Sequence, residues 1–147
     1  MKRIFSLLVA AVIVTATSCS RHIPSNGSVV IIPEPSKVEV CEGSFNLSPE
    51  TAIVLHFEDA QLTLATDFLN SVAVDLFDKA LPIVTAEEAA QENVINVYQN
   101  PSLHAEGYVL EVTPTAINVT ASTAHGVFYA FQSLRQMVAP EALTEKH

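Results

Sequence analysis

The side chains most able to do chemistry are five histidines, two cysteines and sixteen acids. His22, His56, His104, His125 and His147 stand apart, with no His-Glu-x-x-His and no Cys-x-x-Cys that would give metal-ligand spacing. His125 falls in the first turn of a predicted helix, where a surface position is expected. His56 lies in an apolar strand and is expected to be a satisfied core or edge residue. Nucleophilic motifs are missing too. No Gly-x-Ser-x-Gly elbow, Gly-x-Gly-x-x-Gly turn or P-loop occurs. Paired carboxylates occur at Glu87-Glu88 and at Asp75 with Asp78. Acid–base catalysis needs a carboxyl with a shifted pKa in a pocket. The first pair falls in a polar loop and the second on the outer face of a helix, so both read as solvated surface. No catalytic, cofactor-binding or metal-binding residue is assigned.

The N-terminus has the order of an export signal. Lys2 and Arg3 precede an apolar run over residues 4–14, broken only by Ser6, and the small residues Thr15-Ala16-Thr17-Ser18 follow. The run is shorter than the roughly 20 residues that span a bilayer. Residues 1–18 therefore read as a signal peptide. Cys19 comes next, which resembles a bacterial lipoprotein signal whose cysteine is lipidated, although Ala16 stands where a leucine is usual. Residues 19–28 then form a polar tether. Ordinary cleavage that leaves Cys19 plain is the other reading. A Cys19–Cys41 disulfide is possible in that case in an oxidising compartment. Cys41 itself reads as a small buried hydrophobe.

The formal net charge is −9. Removal of residues 1–18 takes Lys2 and Arg3 and no acid, leaving five basic against sixteen acidic residues, a balance of −11. Such a surface has no basic patch to neutralise phosphates, which argues against nucleic acid. Membrane attachment would come only through the lipid anchor. About 120 residues remain, enough for one domain with a single core.

These side chains need elements to hold them. Residues 29–35 are extended, because Pro33 and Pro35 block a helix. Residues 37–42 alternate as a half-buried strand, Gly43 turns the chain, and residues 44–47 return. Residues 51–57 are more continuously apolar and read as a central strand. Over residues 59–80 the period changes: Leu62, Ala65, Leu69, Val72 and Leu76 make one helical stripe, with Phe68 and Phe77 beside it. Residues 85–92 read as a helical turn or loop, and residues 94–98 as a fourth strand. Residues 108–113 and 116–121 form a hairpin. Pro114-Thr115 lacks tight-turn chemistry, so a turn longer than two residues is expected. Ser122 or Thr123 can cap a final helix whose apolar positions are Ala124, Val127, Phe128, Phe131, Leu134 and Val138, ended by Pro140. The expected fold is α+β: a mostly antiparallel sheet with two main helices packed on one face. Tyr108, Tyr129 and the phenylalanines form no exposed aromatic platform by spacing. Asn46-Leu47-Ser48 and Asn118-Val119-Thr120 match the glycosylation pattern by chance.

Two sets of residues carry a family resemblance. At the front stand Ile32-Pro33-Glu34-Pro35, Val38-Glu39 and Gly43-Ser44-Phe45-Asn46-Leu47. At the back stand Glu106-Gly107-Tyr108-x-Leu110 and Gly126-Val127-Phe128-Tyr129-x-x-Gln132-Ser133-Leu134-Arg135-Gln136. Together they resemble the N-terminal non-catalytic domain of family 20 β-N-acetylhexosaminidases. The resemblance implies a domain over residues 29–139 that packs on a (β/α)8 barrel. That barrel carries an adjacent Asp-Glu pair, which removes terminal N-acetylhexosamine with help from the substrate's own 2-acetamido group. No residue here matches that pair. Residues 140–147 read as the start of the catalytic region or a tail. The resemblance thus implies an accessory domain, inactive alone, whose partners are its own catalytic barrel and, through it, a glycan. Export to the periplasm or outer-membrane surface is expected. The alternatives are a stand-alone surface lipoprotein that binds glycan or protein, and the same domain before another barrel, such as that of an α-glucuronidase.

Overall fold

The computed structural model describes residues 30–138. The signal peptide, Cys19, the tether and residues 140–147 lie outside them. Seven elements follow in chain order: β1 (Ala52–Leu55), α1 (Leu62–Phe77), β2 (Ile83–Thr85), β3 (Val94–Gln99), β4 (Tyr108–Val112), β5 (Ala116–Ala121) and α2 (Ala124–Met137). The α+β class holds. The sheet does not match the mostly antiparallel expectation. Its five strands run in the order β2-β1-β3-β5-β4. β1 pairs parallel with β2 and with β3, and β3 pairs parallel with β5. Only β4 and β5 are antiparallel. The physical reason is the connections: α1 separates β1 from β2, and a parallel pair needs such a crossover.

The helices form where expected, and their ends have local causes. Asp59 accepts the Gln61 N–H at 2.8 Å and so holds one free donor at the start of α1. Asp78 ends it in the left-handed region, φ 57°, with its N–H on the Val74 carbonyl. The helix is therefore shorter than residues 59–80. Thr123 caps α2 by accepting the Gly126 N–H. Val138 lies beyond α2 as its C-cap.

Both helices cover one face of the sheet. Leu62, Ala65, Leu69 and Ala73 of α1 and Val127, Ala130, Phe131 and Leu134 of α2 are buried there. They meet rows of strand residues set by register. One row is Ile53, Ile95, Ile117 and Val112; the next is Leu55, Val97, Val119 and Leu110. Burial of these side chains stabilises the domain by about 1.5–3 kcal/mol for each large one. The Tyr108 hydroxyl and Ser133 hydroxyl share a 2.6 Å hydrogen bond that ties β4 to α2.

Residues 37–42 and 44–47 are not strands; they enter no ladder of the sheet. Val38 and Val40 are exposed, while Phe45 and Leu47 pack on the core. Cys41 is exposed, not buried. Alternation alone makes a strand only where a sheet edge offers partners. In the other direction, Ile83-Val84-Thr85 joins the sheet as β2, where a loop or turn was expected from residue 85 on. The hairpin turn comprises Thr113, Pro114 and Thr115, and the Thr113 hydroxyl bonds both backbone groups of Ala116.

Candidate functional site

Two surfaces collect the functional side chains. The first is the outer side of the helix pair. Phe68 of α1 and Phe128 of α2 meet with ring centroids 5.2 Å apart, and Phe128 contacts Tyr129 edge-on. Beside them, Gln61, Leu64, Asp67, His125 and Phe128 line a groove of about 360 Å3. Leu64 is 63% exposed, Val74 45% and Tyr129 40%. His125 is exposed here, as expected from its place in the first turn.

The second surface is the face of the sheet opposite the helices. Register places Val54, Asn96, Asn118 and Glu111 in one row across β1, β3, β5 and β4. The polar members form a continuous chain. His56 Nε2 lies 3.0 Å from Asn96 Oδ1, Asn96 Nδ2 donates to Asn118 Oδ1 at 3.0 Å, and Asn118 Nδ2 donates to Glu111 Oε2 at 3.0 Å. Tyr98 stands beside this row and stacks on His56, with centroids 4.2 Å apart and rings 21° from parallel. His56 is thus exposed and hydrogen-bonded, just past the end of β1. Sequence spacing did not show this aromatic pair. The signal that could have is the repeat Ile95-Asn96-Val97 and Ile117-Asn118-Val119, which puts one polar residue in phase on two apolar strands.

The carboxylate pairs fall as expected. Glu87, Glu88, Asp75 and Asp78 are all exposed. Glu88 turns back to accept from the Thr85 backbone and hydroxyl. The Lys37–Glu39 ion pair, 2.7 Å long, lowers the Glu39 pKa and raises that of Lys37, chiefly through the hydrogen bond between them and then through charge. Both are solvated, so the pair contributes little. Among the described residues, no three His, Cys, Asp or Glu side chains come together to hold a metal ion. No described helix is long and apolar enough to cross a membrane.

The fold and these surfaces define an α+β domain with apolar side chains exposed on its helix pair and a polar ladder on the other face of its sheet. Residues 28–146 match the family model described as glycosyl hydrolase family 20, domain 2, and the chain belongs to that family. It is 30% identical over 114 residues to a β-hexosaminidase of Porphyromonas gingivalis, covering 76% of this chain and 14% of that relative. Among solved structures, it is similar to the β-N-acetylhexosaminidase of Bacteroides fragilis, with 25% identity and a TM-score of 0.58, over 74% of this chain and 21% of that one. Streptomyces plicatus N-acetyl-β-hexosaminidase in complex with Thio-NAglucal is similar at 25% identity and a TM-score of 0.65, over 78% and 22%. The chain therefore spans about a fifth or less of the length of these relatives.

Proposed function

We propose that this domain is the accessory part of an exported β-N-acetylhexosaminidase, which removes terminal N-acetylhexosamine from glycans. It packs through the outer side of α1 and α2 on its own catalytic barrel. The barrel supplies the Asp-Glu pair, and this chain by itself releases no N-acetylhexosamine. Cys19, once lipidated, tethers the enzyme at the outer-membrane surface.

The observation that carries this reading is the exposed Leu64 beside Phe128 in the helix-pair groove, with the exposed Tyr129 against the same ring. Large apolar side chains exposed side by side mark a surface suited to being covered. Family membership supports a barrel as the cover.

Intact mass of the native product, extracted from its host's membranes, tests the reading. A mass larger by about 250 residues, the size of a barrel, with lipid on the N-terminal cysteine supports it. A mass ending at His147 overturns it. A second test is turnover of a chromogenic β-N-acetylglucosaminide by the 147-residue chain, where release above buffer background would contradict the assigned division of labour.

A further inference from the structure

We propose that the face of the sheet opposite the helices binds a neutral saccharide, with Tyr98 as its wall and Asn96, Asn118 and Glu111 as its floor. Sugar rings present two kinds of surface: apolar C–H faces and a rim of hydroxyls. A site for them needs an aromatic ring next to fixed hydrogen-bonding groups.

Both are present. Tyr98 is 38% exposed. His56 covers its β1 side, and its register partner on β5 is the small Thr120, which leaves the other side of the ring room for a ligand. Among the described residues, the Tyr98 hydroxyl has no hydrogen-bond partner. The amide row is held but not exhausted. Each Asn Nδ2 spends one hydrogen within the row and keeps a second, and each Oδ1 keeps a second lone pair. Glu111 is exposed and accepts one bond within the row, leaving acceptor capacity for a hydroxyl. Because the row fixes these groups in advance, a ligand orders little on binding.

Charge selects among saccharides. The only charged side chain in the row is Glu111. Lys37, Lys79 and Arg135, the cations among the described residues, lie outside the strands of this face. A uronic-acid chain would meet a carboxylate with no counter-charge, so the fit is to neutral sugars. The choice of an N-acetylglucosamine oligomer as probe rests on the hexosaminidase reading; the site itself rests on the ladder and the ring.

The test is nuclear magnetic resonance titration of the isotope-labelled complete chain with chitotriose to millimolar concentration. Shifts in the side-chain amides of Asn96 and Asn118 and in the Tyr98 ring are expected. Tyr98→Ala should weaken binding about tenfold, given the usual worth of an aromatic contact. Leu64→Ser, on the helix groove, should leave binding unchanged. No shift in the wild-type chain, or shifts confined to the helix groove, overturns the proposal. Equally tight binding of a glucuronic-acid trimer also overturns it. Hydrolysis by the complete protein is scored separately, so failure here leaves the hexosaminidase reading standing.

Discussion

The Gln136 side-chain amide bonds both backbone groups of Ile32: the Ile32 N–H donates to Oε1 at 2.8 Å, and Nε2 donates to the Ile32 carbonyl at 3.0 Å. Residues 104 positions apart are thereby joined, and they belong to the front and back sequence motifs. The two motifs meet in space, although neither alone defines the fold.

Gln136→Ala removes both bonds and should release the segment before β1. These bonds are exposed, so the global loss should be about 1 kcal/mol or less. The local effect is larger. Amide exchange at Ile32 and proteolytic nicking within residues 30–44 should rise, while exchange in β3 and β5 stays slow. Unchanged exchange at Ile32 would show that the amide clamp does not hold this segment.

Gly126 is a packing requirement of another kind. A Cβ there would lie 2.6 Å from the Gly107 carbonyl oxygen and 3.0 Å from the Ala121 Cβ. Backbone cannot swing aside as a side chain can, so α2 must move off β4. Gly126→Ala should cost about 1–3 kcal/mol, the usual range for overpacking. Gly107→Ala meets the His104 backbone at 3.2 Å and should cost less. The order of the two melting temperatures checks the argument.

Much of this architecture is readable in the sequence, for physical reasons. α1 and α2 are long enough for a 3.6-residue period to stand out, and the stripe from Leu62 to Val72 is the buried one. The β4–β5 hairpin is local, so its alternation and its turn lie in one window. The sheet's order is not local. Whether Ile53 lies beside Ile95 in parallel depends on crossovers that no short window contains. β2 has three residues, too few for any period. The candidate saccharide face was illegible for the same reason. Asn96, Asn118 and Glu111 come from three strands and His56 follows a fourth, and a one-residue slip would turn each strand's contribution to the other face.

Asn93 holds the start of the sheet together in a conformation few residues adopt. Its φ is 59°. Its Oδ1 accepts from the buried Thr51 hydroxyl at 2.6 Å, its Nδ2 donates to the Ser48 hydroxyl at 3.3 Å, and its N–H donates to the Thr115 carbonyl at 2.7 Å. Asparagine tolerates the left-handed region better than most residues. Asn93→Ala should therefore lose about 2–3 kcal/mol, from the backbone conformation and from a buried hydroxyl deprived of its acceptor. Asn93→Gly keeps the backbone at ease and loses only the side-chain bonds. Denaturant unfolding should place the glycine variant between wild type and alanine. Equal losses would mean that the conformation costs alanine nothing here.

The ladder on the sheet makes a prediction about a proton. A carboxylate can only accept, so Glu111 obliges Asn118 to present Nδ2. Asn118 then offers Oδ1 to Asn96, which must donate through its own Nδ2 and turn its Oδ1 toward His56. His56 Nε2 must donate in turn, so neutral His56 carries its hydrogen on Nε2 and keeps Nδ1 as an acceptor. One charge on β4 thus sets the tautomer of a histidine just past β1, three hydrogen bonds away. Nitrogen chemical shifts of the neutral imidazole read this directly, and Nε2 should appear as the protonated nitrogen. Glu111→Lys reverses the constraint, because an ammonium can only donate. Asn118 should then present Oδ1 to it, both amides should turn over, and the His56 hydrogen should move to Nδ1. A wild-type shift pattern with the hydrogen on Nδ1 would break the chain of argument at its last link.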